Sequence, residues 1–112
     1  MHARVMTVQL KPGTAEEATR VYRESVLPAA RRQPGFQRAF FLVDPQTHRA
    51  ISITHWINQA TMETSESSGY LQEQVAKLAA FFETPMTSEH YAVAISAKSS
   101  SRPYPSLPLP NA

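Results

Sequence analysis

At 112 residues the chain has material for one hydrophobic core and little for a second. Its 42% hydrophobic and 18% charged content excludes a disordered polyelectrolyte, and the absence of cysteine excludes disulfides, thiolate metal sites and a thiol nucleophile. A net charge of +2, with its basic residues scattered except at Arg31-Arg32, argues against a nucleic-acid partner; no apolar run approaches the roughly 18–20 residues that span a bilayer, and the expectation is a cytoplasmic protein with no membrane partner.

The first element is "RVMTVQL", residues 4–10, which places Met6, Val8 and Leu10 on one side and Val5, Thr7 and Gln9 on the other, the period of a strand. "KPG" ends it. Thr14 and Glu17 then have capping-box spacing, and Ala15, Ala18, Tyr22, Ser25 or Val26, and Ala29 recur at helical spacing along one modest apolar face. Pro28 lacks a backbone donor, so a kink or an early end is expected near it. After "QPG", residues 36–44 ("FQRAFFLVD") read as a strand apolar on both faces, with Phe36, Phe40 and Leu42 on one and Ala39, Phe41 and Val43 on the other.

"PQTH" supplies a turn, and residues 50–57, "AISITHWI", form the third strand and close a hairpin. Asn58 is placed to cap a short helix to about Glu66, and "SSG" interrupts it. Leu71, Val75, Leu78 and Phe82 then follow helical spacing over three to four turns. "EHYAVAIS", residues 89–96, reads as a fourth strand with Tyr91, Val93 and Ile95 on one face and His90, Ala92 and Ala94 on the other.

The order β-α-β-β-α-β defines an α+β, ferredoxin-like fold: a four-stranded antiparallel sheet with helices on one face. The other face stays bare and largely apolar, which predicts a homodimer through sheet-on-sheet packing. The domain is expected over residues 1–96. Residues 97–112, with four of the nine prolines, form either an extended tail or an arm laid on the partner through Tyr104, Leu107 and Leu109.

His2, His48, His55 and His90 are scattered, so metal-ligand spacing is absent; three glycines and no P-loop or dinucleotide fingerprint leave no cradle for a nucleotide, and no cofactor is called for. The acidic residues fall on helices, loops or a strand end, in solvated-looking positions. Strand three is more informative. Ser52, Thr54 and Trp56 share one face, and Ile51, Ile53, His55 and Ile57 the other, so His55 and Trp56 cannot act as one dyad. If the first face meets the helices, two small hydroxyl side chains leave volume beside an indole, the makings of an apolar pocket with a few fixed polar groups. Trp56, Ser52 and His90 are the candidate catalytic residues, with Trp56 as a stacking wall, Ser52 a hydrogen-bond donor and a histidine, His90 or His55, the candidate base with a pKa near neutrality. Thr54, Tyr22, Met62, Tyr70 and Phe82 complete the expected lining for a small apolar or aromatic ligand. Phe81 is an alternative to Phe82. The competing reading has Trp56 filling the core and the hydroxyls at the surface.

Through "KPGTAEEA", "PGFQRAFFLVD", "ISITHW" and "EHYAV", the chain resembles the antibiotic biosynthesis monooxygenase (ABM) domain family of the dimeric α+β barrel superfamily, over about residues 3–96. The resemblance implies a homodimer with a shared barrel, an apolar pocket in each subunit, and cofactor-independent monooxygenation of an aromatic or polyketide-like compound. In the branch that oxidises polycyclic phenols, an asparagine precedes the strand-three tryptophan by four residues and a tyrosine follows it by six; here Trp56 is kept and those positions hold Ser52 and Met62. In the haem-degrading branch the needed asparagine, tryptophan and axial histidine align with Met6, Ser65 and Val75, and no residue on that last helix could ligate haem iron. A non-enzymatic ligand-binding protein and a structural dimerisation module with a closed pocket are the alternatives from other classes.

Overall fold

The computed structural model describes residues 1–99. Four strands, β1 (His2–Gln9), β2 (Phe36–Val43), β3 (Arg49–Trp56) and β4 (Thr87–Ala92), form one antiparallel sheet in the order β2-β3-β1-β4. The helices α1 (Ala15–Val21), α2 (Leu27–Arg31), α3 (Gln59–Ser67) and α4 (Tyr70–Leu78) complete a ferredoxin-like α+β fold. Alternation along β1 buries Arg4, Met6, Val8 and then Leu10, and the core gathers where Val8, Leu10 and Ala50 meet Ala18, Tyr22, Val26 and Leu78. The readings that depend on residues 100–112, including the arm through Tyr104, Leu107 and Leu109, lie outside the described residues. Among the described residues no helix is long and apolar enough to cross a membrane.

Several local expectations are corrected. The capping box does not form: the Thr14 hydroxyl donates to the Lys11 carbonyl at 2.7 Å, and Glu17 pairs with Arg20 instead. Pro28 neither ends nor simply kinks the helix. A π-helical turn over Tyr22–Val26 leads into it, with the Leu27 N–H reaching back to the Tyr22 carbonyl, and helix resumes to Arg31. Proline cannot donate to the carbonyl four residues before it, and the widened turn absorbs that break. A bulge in β2 between Phe36 and Arg38 shifts its register, so Phe36 pairs with Trp56 on the helix side instead of sharing a face with Phe40 and Leu42.

Two further boundaries move. Helix α4 gives way at Leu78 to a 3₁₀ turn, Ala79–Phe81, and Phe82 is already extended, bridging Leu10. Strand β4 covers Thr87–Ala92, not 89–96, because its one neighbour, β1, begins at His2, which pairs with Ala92; a last bond from Val93 N–H to the Met1 carbonyl follows, and the strand has nothing further to pair with. The register also settles the facing of β4. His90 stands opposite Arg4 on the helix side, and Tyr91 looks outward, half-exposed. Other signals hold: the Asn58 side chain accepts from Thr61 N–H at 2.8 Å to cap α3, and Gly69, at φ +88°, separates α3 from α4.

Candidate functional site

Between the helix-facing side of the sheet and the helices lies an open-mouthed cavity. Its floor is built from alternate residues of three neighbouring strands: Arg4, Met6 and Val8 of β1, Ala50, Ser52 and Thr54 of β3, and Phe41 of β2. Small side chains on β3 leave the room. Tyr22 and Val26 of the π-helical turn form one wall, Tyr70, Leu71, Gln74, Val75 and Leu78 of α4 another, and Phe82 and Met86 close one end.

The polar groups cluster toward the Arg4 end. The Tyr22 hydroxyl lies 2.8 Å from the Ser52 hydroxyl, and its ring stacks on Phe41 with centroids 4.6 Å apart. The Trp56 indole N–H donates to the Thr54 hydroxyl at 2.9 Å. Burial pushes the Tyr22 phenol above its ordinary pKa, against the Ser52 hydrogen bond and the positive charge of Arg4. Burial likewise raises Tyr70, to about 12, with the Arg4 charge opposing and Tyr22 adding to the rise. Both phenols are therefore protonated hydrogen-bond donors at neutral pH.

Each candidate residue has a definite place. Ser52, Thr54, Tyr22, Tyr70 and Phe82 line the cavity. Trp56 and Met62 are fully enclosed and outside its lining: the indole meets Phe36 edge-on at 5.7 Å and lies 5.3 Å below the Arg4 guanidinium carbon, so it supports the polar end from behind. His90 is outside the lining as well, with its side chain 41% exposed and its Nε2 2.7 Å from Glu66 Oε2. His55 sits on the opposite sheet face against Phe40.

Sequence reasoning missed Arg4 and Glu66. Arg4 is 2% exposed; through Nη1 it donates to Ser65 Oγ at 2.9 Å and Glu66 Oε2 at 3.0 Å. The signal was available, since residue 4 is in phase with Met6, Val8 and Leu10, and a charge at an inward strand position demands a partner. Glu66 sits on α3 with 27% of its side chain exposed, between Arg4 and His90 rather than in solvent. Among the described residues no three His, Cys, Asp or Glu side chains converge as a metal site.

The chain is thus a ferredoxin-like α+β domain with a lined cavity between its sheet and its helices. The model of the family described as "Antibiotic biosynthesis monooxygenase" matches residues 1–77, and the chain belongs to that family. No curated protein sequence matches it significantly. Similar solved structures include a cofactor-independent oxygenase from Streptomyces nogalater, SnoaB, in a mutant form, at 15% identity and TM-score 0.70, covering 88% of this chain and 97% of that one. A monooxygenase from the gene ActVA-Orf6 of Streptomyces coelicolor, in complex with nanaomycin D, has 16% identity and TM-score 0.69, covering 88% and 92%. A protein of unknown function from Nitrosomonas europaea, at 19% identity and TM-score 0.68, covers 88% and 94%. At these identities the likeness is one of fold.

Proposed function

We propose that this chain is a cofactor-independent monooxygenase that takes a small aromatic or polyketide-like compound into the cavity between sheet and helices, working as a homodimer packed sheet on sheet. The observation that carries the reading is the cavity itself, in a member of this family: apolar for most of its length, with hydroxyl donors at one end. A cofactor-independent oxygenase and a nanaomycin-bound monooxygenase among the proteins of like fold support it.

In this reading the substrate provides the electrons. An ionised ring carbon reduces dioxygen, so that a ring methylene and dioxygen give a ring carbonyl and water, while the protein contributes shape, hydrogen bonds and exclusion of bulk solvent. Ser52, Thr54, Tyr22 and Tyr70 address the substrate's oxygen, Phe82 packs on its body, and Trp56 and Met62 hold the floor and wall from behind. His90 acts through Glu66 rather than by contact. Oxygen uptake with a panel of anthrone-like phenols tests the proposal. Uptake in step with substrate loss is expected, abolished by Leu71→Trp, which fills the cavity from the partly exposed face of α4; uptake that persists in that variant would overturn the site.

One observation favours a second reading, a ligand-binding protein without catalysis: the histidine base is half-exposed and outside the cavity, and Ser52 and Met62 replace the amide and phenol of the phenol-oxidising branch. Ligand binding without oxygen uptake across the panel would select it.

A further inference from the structure

The cavity is electrostatically lopsided. Arg4 lines it almost wholly out of water, and all its hydrogen bonds run from Nη1 toward α3, to Ser65, Glu66 and, at 3.5 Å, the Met62 carbonyl. Its Nε–H is buried and has no partner among the described residues. The carboxylate beside it is shared, because Glu66 Oε2 is also 2.7 Å from His90. A guanidinium carries five N–H donors in a planar fork; with Nη1 turned to α3 and Nε enclosed, Nη2, which has no partner among the described residues, is the donor left for an added anion. The neighbouring Tyr22 and Tyr70 phenols, raised by burial, stay protonated and do not compete as anions.

The other end has no such groups. From Arg4 to Val8 the floor runs four residues, about 13 Å at the rise of a strand, and around Val8, which pairs with Ala50, the lining adds Leu78, Phe82 and Met86.

We infer that the ligand of this cavity is an amphipathic acid: a flat apolar body along Met6 and Val8, with a carboxylate or similarly ionised oxygen held by Arg4. This rests on the reading of the cavity as a ligand site and adds the charge of its occupant. Isothermal titration calorimetry of the full chain at neutral pH with 2-naphthoate and its neutral isostere 2-naphthamide tests it. The acid is expected to bind about tenfold more tightly, the gap between charge-assisted and neutral hydrogen bonds. Glu66→Gln, which removes the competing carboxylate but keeps an acceptor for Arg4, is expected to widen that ratio several-fold; Arg4→Gln is expected to erase it. Should Arg4→Gln fail to fold, the wild-type ratio and Glu66→Gln decide. Equal binding of acid and amide, a ratio unmoved by Glu66→Gln, or acid binding untouched by Leu71→Trp overturns the inference and leaves the cavity standing as a neutral-ligand site. If neither probe binds, the ligand-site reading falls and the inference with it.

Discussion

Tyr22 is the residue on which core and cavity meet. It stacks on Phe41, bonds Ser52, and belongs to the helical turn that Pro28 forces open. Tyr22→Phe keeps the ring and removes one hydroxyl pair, so a loss of about 0.5–1.5 kcal/mol in urea denaturation is expected, with the far-UV spectrum unchanged. Tyr70 makes a different prediction. Its folded-state pKa, about 12, lies above the ordinary phenol value of 10.0, as does that of Tyr22 in direction, so between those values the folded chain holds more protons than the unfolded one. Stability is therefore insensitive to these groups below pH 10 and falls as pH rises beyond it. Phenolate absorbance during alkaline titration should show the last step delayed in the wild type and missing in Tyr70→Phe.

At the scale of elements, two junctions control how α3 meets the sheet. Gly35 has φ +81°, and a Cβ there would overlap the Thr61 side chain in the first turn of α3. Gly35→Ala combines a disfavoured backbone with a clash and should cost about 2 kcal/mol or more. Asn58→Ala removes the α3 cap, and about 1 kcal/mol is expected; both are read from thermal and denaturant unfolding. The elements themselves were legible, because period-two and helical patterns report directly on which face is buried. What was not legible has a common origin in pairing and backbone adjustment. The bulge beside Phe36, the end of β4 at Ala92 and the outward turn of Tyr91 depend on the neighbouring strand's register, which no window within a single strand contains. Ser52 and Thr54 were recognisable as cavity residues by their small size on the helix-facing side. Trp56 was recognisable as inward-facing; whether it lined the pocket or filled the core stayed open, because Phe36 and Arg4 cover it from elements remote in sequence.

For the whole molecule, the decisive asymmetry is between the two sheet faces. Helices cover one. The other carries Ile51 and Ile53 with Phe40, Leu42 and Tyr91, the last three about half-exposed, an apolar group of the kind that associates, with Arg38, His55 and Glu89 on the same face. The proposed homodimer predicts a dimeric mass in light scattering at micromolar concentration. Phe40→Glu with Leu42→Lys should return a monomer that keeps its far-UV spectrum, whereas a monomeric wild type would overturn the sheet-packing proposal.

The enclosed indole beneath Arg4 has a consequence for observation as well as for packing. As the chain's single tryptophan, 5.3 Å from a buried guanidinium, Trp56 sits in the field of the Arg4–Glu66 ion pair. Its emission is an internal electrometer: any anion that neutralises Arg4 shifts the colour of the light the protein gives off, without a label and without touching the ring.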